Sequence, residues 1–173
     1  MTRLKLIAAF VAIVLPASAA LAQRAGTSLR NAQGQVIGTA SAVRDGNVVR
    51  IRLTVRGAAP GTHGVHLHQT GRCDAPDFAS AGPHWNPTGH QHGRLNPQGP
   101  HLGDLPNLVV GANGSGRLDF AVPVPAGTAA GVNPLLDADG TAIVIHATAD
   151  DLRTDPSGNS GARIACGVLS PLR

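Results

Sequence analysis

The segment 48–56 places apolar and polar side chains at strictly alternating positions, and this pattern limits the folds open to the chain. Valine, isoleucine and leucine occupy the odd positions 49–55, and three arginines and a threonine occupy the even positions 50–56. A period of two is typical of a β-strand with one buried face. Weaker runs of the same kind are found at 27–30, 35–43, 63–68, 105–110, 117–122, 141–146 and 163–169.

The segments between these runs carry turn signals. Asp45-Gly46-Asn47 predicts a hairpin, and the 22 glycines and 13 prolines punctuate the rest of the chain. No segment has a helical period. The sequence therefore predicts an antiparallel, all-β sandwich or barrel. Two stretches, 69–103 and 148–162, do not fit strands, and irregular segments of that length in a small domain are usually functional.

Most of the histidines lie in or beside the first of these two stretches. They are His66, His68, His84, His92 and His101, with Asp104 close behind and His146 at the end of a later strand. Six imidazoles and one carboxylate exceed the needs of one metal ion and suit two ions that share a ligand. The sequence therefore predicts a bimetallic, redox-active site.

The two halves of this set favour different metals. His66 and His68 are two apart in a strand, so both rings leave the same face. Together with His146 they suit Cu(II), which favours imidazole ligands. Three imidazoles and one carboxylate in the loop, His84, His92, His101 and Asp104, match a closed zinc site.

The N-terminal residues 1–22 are typical of a secretory signal peptide. Arg3 and Lys5 precede an apolar run at 6–15, and Ala20-Leu21-Ala22 supplies a cleavage site. The run is too short for a comfortable membrane span. We therefore expect export, with the periplasm as the destination, and a mature domain at 23–173 that has no membrane contact.

Charge and cysteine content narrow the class further. The formal net charge is +4, and loss of Arg3 and Lys5 would reduce it by two. A small excess of charge with 2% aromatic residues argues against nucleic-acid binding. In an exported chain, Cys73 and Cys166 favour a disulfide over two thiolate ligands.

Four motifs resemble the copper/zinc superoxide dismutase family. They are Gly64-Val65-His66-Leu67-His68, Ser80-Ala81-Gly82-Pro83-His84-Trp85-Asn86-Pro87, His101-Leu102-Gly103-Asp104-Leu105 and Gly161-Ala162-Arg163-Ile164-Ala165-Cys166-Gly167-Val168. The resemblance covers essentially the whole mature chain. It implies an eight-stranded, immunoglobulin-like Greek-key barrel with a long metal-binding loop and a shorter electrostatic loop. It also implies an antioxidant enzyme that converts two superoxide anions and two protons to dioxygen and hydrogen peroxide, with copper alternately reduced and oxidised.

Position by position, the resemblance implies one copper ion and one zinc ion per chain. The copper ligands are His66, His68, His84 and His146, and the zinc ligands are His84, His92, His101 and Asp104. His84 bridges the two metals and serves in catalysis. Arg163 attracts the anion, Asp150 links His66 to His92 behind the ligands, and Cys73 pairs with Cys166.

Two features leave alternatives open. The loop at 151–160 has no Glu or Lys, so steering of the anion falls to Arg163, with Arg153 as a second candidate. A periplasmic copper-binding or copper-buffering protein on the same fold needs the copper ligands but not Arg163. Relatives are commonly homodimers and some bacterial members are monomers, so a homodimer remains an open expectation.

Overall fold

The computed structural model describes residues 24–125, 135 and 137–171. The predicted signal peptide, 1–22, lies outside the described residues. Within them the chain forms nine antiparallel strands and one short 3-10 helix, Ala79–Ala81. The strands are β1 (Arg24–Asn31), β2 (Val36–Asp45), β3 (Val48–Val55), β4 (Gly61–His63), β5 (Val65–His68), β6 (Leu108–Val110), β7 (Gly116–Pro123), β8 (Thr141–His146) and β9 (Arg163–Pro171).

This architecture confirms the predicted all-β class. The described residues contain no α-helix and, consequently, no helix long and apolar enough to span a membrane. The strand order is β4-β6-β7-β3-β2-β1-β9-β8-β5, in which β3 pairs with β7 although three strands separate them in the chain. Such Greek-key crossings agree with the topology that the resemblance implies.

The sheet closes on itself at Gly64. Strands β4 and β5 are one residue apart in the chain but occupy opposite edges of the strand order, so the sheet curls until its edges meet. β4 pairs with β6 and β5 pairs with β8. The prediction of a single strand at 63–68 was therefore wrong, and its division at Gly64 gives nine strands where eight were expected.

The inward face of β3 forms the centre of the barrel. Val49, Ile51, Leu53 and Val55 are all at most 1% exposed. In the pairing with β2 and β7, Ile51 lies between Ala42 and Phe120. Because the side chains of a strand alternate between its two faces, the arginines at positions 50 and 52 necessarily point to solvent.

Strand β8 is buried on both faces. Ile143 and Ile145 pack into the barrel core, whereas Ala142 and Val144 pack against Phe78, Ala81 and Cys166 in a second cluster. Phe78 and Ala81 belong to the segment 69–107, named here the long loop, which therefore covers the outer side of β8. The predicted disulfide, Cys73–Cys166, is confirmed with a Cα–Cα distance of 5.7 Å, and it fastens this loop to β9.

The long loop extends further than predicted, because β6 begins at Leu108 and not at residue 105. Pro106 has no N–H group to give to a ladder. The N–H of Leu105 donates to the Val65 carbonyl at 3.2 Å, so the end of the loop joins β5. In contrast, the weak candidate at 27–30 proved to be the full strand β1.

Candidate metal centre

Strands β5 and β8 position the first group of histidines. His66 and His68 leave β5 side by side, opposite Val144 and Ala142 of β8. His146 ends β8, where its N–H donates to the Gly64 carbonyl at 2.9 Å. Donor atoms of these three rings and of His84 lie within 4.8 Å of one another, and all four residues are buried.

Each of the three strand histidines has one ring nitrogen fixed by the protein and one left free. The fixed atoms are Nε2 of His66, on Asp150 at 2.8 Å, Nδ1 of His68, on the Gly82 carbonyl at 2.8 Å, and Nδ1 of His146, on the Gly161 carbonyl at 3.1 Å. The opposite nitrogens are buried and have no hydrogen-bond partner among the described residues. Unpartnered buried nitrogens are costly and call for an explanation. A metal ion that accepts their lone pairs explains all three at once.

Burial also sets the protonation state of this group. Removal from water lowers the pKa of His66 to about 3, that of His68 to about 2 and that of His146 to about 4. The pKa of His84 is lowered for the same reason. Because metals bind the neutral imidazole, these rings are ready to bind at neutral pH, and only a ring that bound metals through both nitrogens would have to lose a proton.

The second group surrounds one oxygen of Asp104. Its Oδ1 lies 3.0 Å from Nδ1 of His84, 3.0 Å from Nδ1 of His92 and 3.3 Å from Nδ1 of His101. The two nitrogens of His84 and His101 are 3.4 Å apart. Zinc–ligand distances of about 2.0 Å in a tetrahedron require donors about 3.3 Å apart. These four distances are compatible with a tetrahedral zinc site.

His66 also has a donor atom within 4.8 Å of those of His84, His92 and Asp104. Nevertheless, Nε2 of His66 is already bound to Asp150, and its Nδ1 belongs with the first group. His101 is the better fourth member of the zinc set because its Nδ1 lies close to both Asp104 and His84. His84 is thus common to the two groups, with Nδ1 facing the second group and Nε2 available to the first.

The pKa values of the second group differ from those of the first. Burial would raise the pKa of Asp104, but hydrogen bonds from His101, His84 and His92 outweigh it and hold the pKa far below its ordinary value. Burial would likewise lower the pKa of His92, yet hydrogen bonds to Asp104 and Asp150 raise it to about 9. The second group therefore carries a carboxylate charge at the position where zinc fits.

Asp150 joins the two groups from behind, as the resemblance implies. Its Oδ2 accepts from Nε2 of His66 at 2.8 Å, and its Oδ1 accepts from Nε2 of His92 at 3.0 Å. Asn107 clamps the main chain of Asp150 with two hydrogen bonds, of 2.8 and 2.9 Å. Burial would raise the pKa of Asp150, but hydrogen bonds from His66, His92 and the Leu152 N–H to its carboxylate outweigh burial and keep the pKa well below its ordinary value. Carboxylates in this position fix the orientation of metal-bound rings.

Arg163, at the start of β9, is held over a cavity of about 580 Å³ whose lining includes His84 and His146. Its two terminal nitrogens donate to the carbonyls of Phe78 and Gly82, each at 2.7 Å. Burial lowers the pKa of Arg163, but a guanidinium titrates so far above neutrality that it stays charged. Arg153 instead donates to the Leu95 carbonyl at 3.2 Å.

Sequence reasoning did not single out three residues that the structure places at the site. Asn107 clamps Asp150, Gly158 packs against the Asp150 carboxylate, and Asp155 accepts from the His92 N–H. The Asp-Pro-Ser-Gly run at 155–158 is a turn signal, but it does not indicate what the turn contacts. His63 lies outside both groups, and its ring nitrogens lie 2.8 and 3.0 Å from the carbonyls of His146 and Ala59.

The fold and the site define a β-barrel protein with two adjoining metal-binding groups that share one histidine. The chain matches the family described as copper/zinc superoxide dismutase (SODC) over residues 32–169. It is 40% identical to superoxide dismutase [Cu-Zn] 2 of Aquifex aeolicus, covering 91% of this chain and 92% of that one. It is 45% identical to superoxide dismutase [Cu-Zn] of Caulobacter vibrioides, over 70% of this chain and 71% of the relative.

Solved structures give the same result. A SOD-like protein of Bacillus subtilis superimposes with a TM-score of 0.76 and 40% identity, covering 83% of this chain and 97% of that one. A double mutant of a SOD-like protein from the same organism gives a TM-score of 0.77 with 41% identity, covering 84% and 96%. The chain belongs to the copper/zinc superoxide dismutase family.

Proposed function

We propose that this chain is an active superoxide dismutase whose two histidine groups have separate tasks. His66, His68, His84 and His146 hold copper, and His84, His92, His101 and Asp104 hold zinc. The single observation that carries this proposal is the set of three buried, unpartnered nitrogens in a cluster of donors within 4.8 Å of one another, beside an Asp104 oxygen that lies 3.0–3.3 Å from three imidazole nitrogens. Copper held by the first group would supply one-electron redox chemistry between Cu(II) and Cu(I).

The protein's own residues bind the anion and supply protons. Arg163 presents a fixed guanidinium at the cavity that leads to His84 and His146. A positive group at a narrow cavity concentrates small anions and raises their association rate by roughly 10- to 1000-fold. His84 holds its Nδ1 towards the zinc group, so Nε2 is the atom at which this ring can hold a proton for the product peroxide.

The same geometry argues against a copper buffer. A buffer requires tight ligands but no charged side chain fixed at the cavity. Here two backbone carbonyls hold the Arg163 guanidinium in place, although partial burial of the charged group is unfavourable. This arrangement supports anion capture, which copper storage alone does not need.

The test compares two arginines close together in the chain. We expect Arg163→Ala to retain copper and zinc but to slow superoxide decay about tenfold or more at low ionic strength. Arg153→Ala is the control, since that side chain is tied to Leu95, and it should leave the rate nearly unchanged. Stopped-flow or pulse-radiolysis decay of superoxide measures both. Equal rates for the wild type and the Arg163 variant would favour the copper buffer.

We also propose export to the periplasm with removal of residues 1–22. The Cys73–Cys166 disulfide supports an oxidising compartment, since such bonds rarely persist in the cytosol. Cell fractionation with N-terminal sequencing of the mature protein tests the destination and the cleavage near Gln23 together. A homodimer of the mature domain, 23–173, stays a prediction. Sedimentation of the purified protein measures its oligomeric state.

A further inference from the structure

The segment 147–162, named here the second loop, is fastened to the long loop beside the zinc group. The N–H of Leu95 donates to the Leu152 carbonyl at 2.9 Å, and the Asn96 side chain donates to the Arg153 carbonyl at 3.3 Å. These contacts join main chain and side chains of two surface segments. One further contact, from Asp155, reaches a residue of the zinc group itself.

Asp155 presents one carboxylate oxygen to two of the four zinc-group residues. Its Oδ1 accepts from the His92 main-chain N–H at 2.6 Å and lies 3.9 Å from Nε2 of His101. The side chain is about half exposed, at 48%, and it lines the same cavity as Arg163. Asp155 is therefore close to the zinc group but outside the set of residues that could ligate the ion directly.

The contact with His92 completes the restraint of that residue. Its Nδ1 faces Asp104, and its Nε2 is held by Asp150. Its main-chain N–H is held by Asp155. For His101 the inner nitrogen, Nδ1, faces Asp104 at 3.3 Å. Once Nδ1 ligates a metal, the ring hydrogen resides on Nε2, the atom that faces Asp155.

We propose that Asp155 is a positioning residue of the zinc site, which makes zinc retention depend on the second loop. The inference rests on the proposed assignment of His84, His92, His101 and Asp104 to zinc. Partners outside the ligand set hold metal-binding residues in place, and removal of such a partner typically lowers metal affinity 10- to 100-fold. The hydrogen bond to His92 is the principal contact, because 3.9 Å is too long for a hydrogen bond to His101.

The experiment measures zinc affinity of the purified full-length mature protein by chelator competition, together with the visible spectrum of Co(II) placed in the zinc site. We expect Asp155→Ala to lower zinc affinity at least tenfold and to alter the Co(II) bands. Asp155→Asn keeps an oxygen acceptor for the His92 N–H. Its loss of zinc affinity, on a logarithmic scale, should therefore be at most half of the loss in Asp155→Ala. Copper affinity should stay within threefold of the wild-type value, which also shows that the variants are folded.

Asp151→Asn is the matched control in the same loop. Asp151 accepts from Arg153, Thr154 and Asn159, and none of these contacts involves a zinc-group residue. A fall in zinc affinity of less than tenfold for Asp155→Ala would overturn the proposal. An equal fall for Asp151→Asn, or no recovery with Asp155→Asn, would also overturn it. Failure of the wild-type protein to bind zinc would instead refute the proposed function.

Discussion

Gly158 lies where a single added methyl group would meet the carboxylate that joins the two histidine groups. Its φ is +64°, and a Cβ built there would be 1.8 Å from Oδ1 of Asp150 and 2.6 Å from Nε2 of His92. Neither atom belongs to a flexible side-chain end, because Asp150 is held by His66, by His92 and through Asn107. Gly158→Ala must therefore displace Asp150 or unwind the turn.

The cost has two parts. A non-glycine residue with left-handed backbone angles loses about 1–2 kcal/mol. Displacement of Asp150 breaks its hydrogen bonds to His66 and His92, each worth about 1.5–3 kcal/mol because one partner is charged. We therefore expect a loss of about 4–8 kcal/mol, which is comparable to the total unfolding free energy of a typical domain, about 5–15 kcal/mol.

Gly89→Ala provides the control. Gly89 has nearly the same φ, +68°, but a Cβ there meets no atom within 4 Å. The free energy of unfolding of Gly89→Ala should fall only by the cost of the left-handed backbone, about 1–2 kcal/mol. Urea unfolding of both metal-free variants, with copper and zinc contents measured after loading, compares the two. If the variants differ by less than about 1.5 kcal/mol, near the lower limit for one hydrogen bond to a charged group, then Asp150 does not hold the site rigidly and the reasoning is wrong.

Two further predictions follow from the two histidine groups. His146→Ala should abolish copper binding and retain zinc, whereas Asp104→Ala should abolish zinc binding and retain copper. Metal analysis of protein loaded with both ions measures this. Loss of both metals from either variant would contradict the prediction. Acid should destabilise the metal-free protein, because the folded-state pKa values of His66, His68 and His146, about 3, 2 and 4, lie below the ordinary 6.5. As pH falls below 6.5 the unfolded chain takes up protons first, so stability falls by about 1.4 kcal/mol per pH unit for each imidazole. Urea midpoints at pH 7 and pH 5.5 measure the effect, and metal-loaded protein should be much less sensitive.

The strands could be predicted where a local pattern decides them. Alternation at 48–56 gave β3 and its buried face almost to the residue, because burial on one side of a strand enforces a period of two. The break at Gly64 could not be predicted in the same way. The residues on both sides of it are apolar or histidine, and the division arises because β4 and β5 pair with opposite edges of a closed sheet. Closure is a property of the whole sheet and leaves no local signal.

The candidate ligands could be predicted because histidine and aspartate carry their chemistry in the side chain. The choice of nitrogen could not, since it depends on which atom the surrounding carbonyls and Asp150 already hold. The roles of Asn107 and Asp155 could not be predicted for a related reason. They act on main-chain groups 43 and 63 residues away, and nothing in an amide or a turn aspartate indicates such a partner.

The distribution of charge links the two metal groups to the capture of an anion. Asp104 places its carboxylate in the zinc group, and Asp150 places its carboxylate between the two groups; hydrogen bonds hold the pKa values of both far below neutrality. On the copper side, His68 and His146 are fixed by neutral carbonyls, and the cavity is lined by the Arg163 guanidinium and, beside the zinc group, by the Asp155 carboxylate. A copper ion held by the first group would have no carboxylate ligand, whereas a zinc ion held by the second group would have Asp104. Since charges interact over about 10 Å at moderate salt, a superoxide anion entering the cavity would be drawn towards Arg163 and the copper site proposed beside it.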